Sequence, residues 1–171
     1  MYFNTEIIFE YIFSNLSLLT AVLSFIIAFL GFLFSLWRWN TYISLKRTDR
    51  VNDLNEKIRT DSEIVEVHYM FEYSEDWYSS GFHGGGDLER KVDRTLTFYS
   101  YLCYLKEKKI ISEKEFDTFF QYRITGTLRN LQVQKYLSFL HRYSKTLDVQ
   151  SPFYYLCKYS KENGIFDPDS Q

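Results

Sequence analysis

Between Tyr11 and Trp37 the chain runs 27 positions without a charged side chain, and the first basic residue, Arg38, follows at once. An α-helix rises about 1.5 Å per residue, so the stretch measures about 40 Å, against roughly 30 Å for the hydrocarbon core of a bilayer. This predicts a transmembrane helix, with its densest apolar run at 16–37. The run is too long for the apolar region of a signal peptide. No Lys or Arg precedes it, and no small-residue cleavage site is evident, so a permanent anchor is expected. Trp37 and Trp39 fall where an interfacial aromatic belt belongs, which argues against a buried hairpin of core helices.

Charge sets the expected orientation. All 20 Lys and Arg residues lie after the span, with Arg38, Lys46, Arg47 and Arg50 close behind it. The positive-inside rule then places the C-terminal part in the cytoplasm and the N-terminal tail, with Glu6 and Glu10, outside. Trp37, Arg38, Trp39, Lys46 and Arg47 are the expected membrane-interface residues, the basic ones meeting anionic headgroups. Of 22 acidic residues only Glu6 and Glu10 precede the span, so the remaining 20 balance the 20 basic ones. A neutral domain excludes a broad, non-specific nucleic-acid surface, and no direct DNA binding is expected.

The expected fold class is all-α: one N-terminal transmembrane helix followed by a cytoplasmic helical bundle. The divisions are a short extracytoplasmic tail at 1–15, the transmembrane helix at 16–37, a charged juxtamembrane helix at 38–73, a flexible loop at 74–87 and a helical bundle at 88–171. The stretch from Asn40 to about Phe71 is helix-prone, with a partial apolar face at Val51, Leu54, Ile58, Val65 and Met70. One long helix is expected there, continuous with the span as one option. Ser79, Ser80, Gly81, Gly84, Gly85 and Gly86 mark the loop. His83 and its glycines suggest an anion nest, but no lysine or strand context makes a phosphate loop.

From Leu88 the pattern is helical: Leu88, Val92, Leu96, Tyr99 and Cys103 share a face. Ser112 and Glu115 form a capping box for the next helix, with Phe116, Phe119 and Phe120 inward. Gly126 is expected to break the pattern. A helix over 128–147 would bury Val133, Tyr136, Leu137, Leu140 and Leu147. Pro152 opens a last helix with Phe153, Leu156 and Cys157 in its core, which Gly164 stops. The chain carries 15 Tyr and 16 Phe, and tyrosines on helix surfaces often mark contacts with a partner or another copy; a tyrosine-rich core accounts for them equally well.

Ser17, Thr20, Ser24, Ala28, Gly31 and Ser35 recur at helical spacing and share one face of the span. Small residues let helix backbones approach closely in lipid, and hydroxyls can bond across, so the stripe predicts homo-oligomerisation. The same stripe could line a narrow pore, or be incidental on a lone anchor.

Candidate chemistry is sparse. Cys103 and Cys157 sit in apolar helical patterns and read as reduced core thiols. His68, His83 and His141 lack metal-site spacing, and neither a metal nor a cofactor is expected. No nucleophilic triad can be nominated, so the catalytic set is empty. Arg129-Asn130 resembles the start of the RNase motif of HEPN helical domains, in which Arg stabilises phosphate and a following His transfers the proton. Gln134 stands five residues after Arg129 and cannot titrate, while His141 is too distant. The pair therefore reads as a degenerate HEPN-like motif.

The layout, together with Leu-Thr-Phe-Tyr-Ser-Tyr-Leu from Leu96, Ile110-Ile111-Ser112-Glu113 and Val133-Gln134-Lys135-Tyr136-Leu137, resembles a broad group of bacterial single-span proteins with a cytoplasmic helical domain. It is also similar to the small membrane accessory proteins of type VI-B CRISPR systems, which carry one span and a divergent HEPN-like domain. That resemblance implies a bacterial inner-membrane location and an oligomeric pore or membrane-perturbing effector in antiphage defence. Its implied partners are the lipid bilayer, further copies of the chain, and an RNA-guided effector nuclease or its RNA products. The expectation is a non-enzymatic oligomer. The alternatives are a membrane-tethered adaptor whose helical domain binds a partner protein and, third, a tethered HEPN-like RNase.

Overall fold

The computed structural model describes residues 5–73, 76–79 and 81–170, and the side chains of 5–15 and 17 lie outside that description. Every regular element among the described residues is an α-helix. The first, α1, covers Thr5–Thr60. It takes in most of the expected tail, the apolar run and the larger part of the juxtamembrane stretch. Its apolar part is long and uncharged enough to cross a membrane, and none of that part is buried. The chain divides into two compact units, one ending at Lys46 and one beginning at Arg47.

The helix expected to run on to Phe71 stops instead at Asp61, and α2 covers Ser62–Tyr73. The break falls at Asp61. Its carboxylate accepts the Glu63 amide at 3.2 Å, as an N-cap does, although its own amide still donates to Lys57 O and its carbonyl still accepts from Val65 N, each at 3.0 Å. The second unit continues with α3 (Asp87–Glu107), α4 (Glu113–Phe119), α5 (Gln121–Arg129), α6 (Leu131–Thr146) and α7 (Tyr154–Glu162).

Helix α3 is the centre of this unit. Val92, Leu96, Tyr99 and Cys103 recur at intervals of four, three and four along it, and with Leu102 they point into the core. It packs on α2, α4 and α7, while α5 packs on α2, α4 and α6. Each fully buried aliphatic side chain is worth about 1.5–3 kcal/mol in apolar transfer, which is what holds short helices such as α4 and α5 in place. Ser112 caps α4 with the expected capping box, accepting from the Glu115 amide while Glu115 reaches back to Ser112. Gly164, at φ +63°, ends α7, and the Ile165 amide donates to Ser160 O across it at 3.0 Å.

Several expectations need correction. Gly126 lies inside α5 and breaks nothing, because the breaks fall at Phe120 and Asn130. The helix expected over 128–147 is two helices. Leu88, Phe119 and Leu147, expected inward, are exposed at 38%, 40% and 55%, since each sits at or next to a helix end where the core face has rolled away.

Candidate functional site

The small-residue stripe lies on the exposed part of α1. Thr20 donates its hydroxyl to the Leu16 carbonyl one turn back, at 3.1 Å. This back-bond satisfies the hydroxyl within its own helix, so the group needs neither pore water nor a second helix. A Cβ built on Gly31 meets nothing within 4 Å, so the helix surface is open there. Ser24, Ala28 and Ser35 share that surface with no core over them, and the side chain of Ser17 falls outside the described residues. Phe25, Phe29, Leu30 and Phe32 are each more than half exposed, so the helix offers apolar surface around its girth.

Trp37 and Trp39 are exposed at 63% and 62%, with the Trp37 ring 5.8 Å from Phe34. Arg38 is exposed as well. Lys46 places its ammonium 5.7 Å from the Tyr42 ring centroid. Arg47 differs from the others: it donates Nε and Nη2 to Glu115 Oε2 at 2.9 and 2.6 Å, so its guanidinium is engaged by α4. The same oxygen accepts the Ser112 amide and hydroxyl, and these donors hold the Glu115 carboxyl below its usual range despite the burial that opposes them.

Of the Arg129-Asn130 pair, Asn130 is used structurally. The Asn130 side chain accepts the amides of Gln132 and Val133 at 2.8 and 3.1 Å, capping α6, and donates to Phe71 O at 2.7 Å. Gln134 donates to Leu128 O at 2.8 Å, satisfying a carbonyl at the end of α5. Arg129 is exposed. His141, too distant for the motif, bonds Asp169 at 3.0 Å. All three motif positions thus sit at a helix junction, and two are bonded to its backbone.

The loop expected to be merely flexible is packed where it is described; Ser74, Glu75 and Ser80 lie outside the described residues. Trp77 packs tilted against Phe71 and edge-on against Phe82 and Tyr136, with centroids at 5.4, 5.2 and 6.2 Å. His83 lies 4.0 Å over the Phe139 ring and bonds Tyr78 Oη at 2.9 Å. The Gly85 amide donates to Glu89 Oε2 at 2.7 Å, so the suspected anion nest holds the chain's own carboxylate. Tyr136 donates to Asp93 Oδ1 at 2.5 Å, and burial pushes both groups up from their ordinary values. Sequence spacing gave no sign of this cluster, because its members come from the loop, α3 and α6.

A second feature without a sequence signal is a cleft of about 570 Å³ between α2, α5 and the end of α1. Residues 65, 68, 69, 72 and 73 share one side of α2 and form its wall. His68 is buried at its base, with Nδ1 3.4 Å from Tyr99 Oη and Nε2 3.4 Å from Glu72 Oε1. Burial, and then the positive charge of Arg123, lower the His68 pKa, outweighing the pull of Glu72. Arg123 donates Nη1 to Ile58 O at 3.1 Å, which fixes its guanidinium against the end of α1.

Burial also raises both thiols, Cys157 to about 12, so neither is a reactive thiolate near neutral pH. No group of three or more His, Cys, Asp or Glu residues suited to a metal ion occurs among the described residues. No known protein family matches the chain, and neither does any curated protein or solved structure.

Proposed function

We propose that this chain is a single-span bacterial inner-membrane protein that self-associates through the small-residue face of α1, with its N-terminus outside and its helical unit in the cytoplasm. The observation that carries this reading is the unburied apolar surface of α1. Water does not tolerate so large an apolar surface, and lipid does. The absence of basic residues before Arg38 supports the orientation. In the assembled state the protein acts as a pore or membrane-perturbing effector in antiphage defence. The hydroxyl-bearing stripe and the resemblance to CRISPR-associated accessory proteins support that step. The reading is non-enzymatic, because Asn130 and Gln134 are committed to helix ends.

One observation favours a second reading, a monomeric tethered adaptor. The Thr20 hydroxyl is satisfied within its own helix, so the stripe is compatible with a lone span. Light scattering of the full chain in mild detergent separates the two. Self-association predicts a protein mass several times 20.7 kDa, reduced by Ser24→Leu with Gly31→Leu, and dye leakage from liposomes that falls with it. A monomer would sink the assembly and leave the adaptor. An oligomer whose mass ignores the double substitution would move the interface off the stripe.

A further inference from the structure

We infer that the cleft between α2 and α5 is a binding site for a nucleotide, a planar nitrogenous base carrying phosphate. The proposal is independent of oligomeric state, because the cleft is formed by one chain.

Its chemistry points to this class, and its size admits a ligand of that kind. The opening of about 570 Å³ lies within the roughly 300–1,000 Å³ of small-ligand sites. Tyr69 and Tyr73, one turn apart on α2, stack with centroids 6.1 Å apart and planes 21° apart. They remain 56% and 76% exposed, and Tyr122 of α5, which also lines the cleft, is 80% exposed. Tyr42, Tyr101, Tyr143 and Tyr154 are exposed too, but here three exposed tyrosines line one concave surface. A base laid on them supplies an apolar face, and base–aromatic stacking is worth about 1–3 kcal/mol.

The charges answer the other half of the ligand. Arg59 lines the cleft and makes no ion pair among the described residues. Arg123 spends one nitrogen on Ile58 O, which leaves donors on a guanidinium already held in position. Two arginines on one rim suit phosphate, which accepts their forked N–H groups. Glu72 also lines the cleft, 3.4 Å from His68 Nε2, and its carboxylate can accept from an exocyclic amino group of a base. A phosphocholine headgroup would also match the arginines with its phosphate and the tyrosines with its ammonium, so saturable binding of base-bearing probes in the presence of zwitterionic lipid is what assigns the cleft to a nucleotide. Balanced charge over the rest of the unit confines such binding to the cleft.

The test uses the full chain in nanodiscs of zwitterionic lipid, with binding read by calorimetry. The probes are AMP, ATP, a short single-stranded oligoadenylate and tripolyphosphate. Saturable binding of ATP, with tripolyphosphate weaker by about tenfold or more, is expected, since the stacking contribution corresponds to about that factor. Arg59→Ala and Tyr73→Ala should each weaken ATP by about fivefold or more. Both side chains are exposed, so an unchanged melting curve will certify the fold. Similar affinity for ATP and oligoadenylate identifies a free nucleotide, and a much tighter oligoadenylate identifies a single strand as its source. Tripolyphosphate binding as tightly as ATP, no saturation by any base-bearing probe at millimolar concentration, or indifference to both substitutions would each overturn the assignment.

Discussion

His68 shows how one side chain couples the fold to pH. It is 7% exposed, faces Tyr99 and Glu72, and lies within the field of Arg123. Burial first, and Arg123 second, lower its pKa below the ordinary 6.5. The unfolded chain therefore takes up a proton near 6.5, whereas the folded chain takes it up only at lower pH. Between those two values the unfolded state binds more protons, so stability falls as the solution is acidified through that window. Asp93 has the opposite sign: its raised pKa makes the folded state the better proton acceptor as pH falls. Its window lies above 3.8, and a comparison of variants separates the two effects. With His68→Gln, which keeps a polar side chain but cannot titrate, the loss of melting temperature between pH 7.5 and 5.5 should shrink relative to the parent. Equal losses in both proteins would show that His68 is not the coupled group. Only the Glu72 contact of His68, an i,i+4 pair on α2, was legible in the sequence; Tyr99 and Arg123 come from α3 and α5, and no local pattern announces that meeting.

At the scale of elements, legibility followed the range of the interaction. The α4 capping box could be read directly, because Ser112 and Glu115 are three apart and complete the motif by themselves. The α7 stop was legible from Gly164 for the same reason. Helix α3 ends in the same left-handed geometry on Lys109, at φ 55°, and no glycine marked it. Asn130 was read as part of a degenerate nuclease motif, and it is an N-cap. Its side chain closes α6 through two amides and ties Phe71 O of α2 to the junction, fifty-nine residues away in sequence. Loss of an N-cap costs about 0.5–2 kcal/mol, and the Phe71 bond adds about 1 kcal/mol. Asn130→Ala should therefore destabilise the helical unit by about 2 kcal/mol in urea unfolding, while Asn130→Asp, which keeps the cap and loses the amide donor, should recover about half of it. If alanine and aspartate are equally tolerated with no change in the midpoint, the cap is not what holds this junction.

The whole molecule divides into two compact units of different surface chemistry, the first apolar and exposed over its described side chains up to Leu36, the second built round a buried core. The sequence separated them at the first basic residue, because charge and hydropathy change there together. It did not place the start of the core. Buried side chains begin at Val51 and Ile58, in the last turns of α1, so a helix that starts as apolar surface ends as part of a bundle. Every described side chain before Arg47 is exposed, and Arg47 itself bonds Glu115. Among the described residues, the unit that begins at Arg47 thus holds the whole buried core, and it is the apolar burial within that unit that stabilises it. A chain cut to begin at Arg47 should therefore remain soluble without detergent, keep a helical circular-dichroism spectrum and melt in one cooperative transition. The full chain, carrying the apolar half of α1, should stay with the membrane through alkaline carbonate extraction. Release of the full chain by carbonate would remove the span. Aggregation or a non-cooperative melt of the shortened chain would mean that the first unit supplies part of the core, and would return the boundary at Arg47 to the interior of a single folded body.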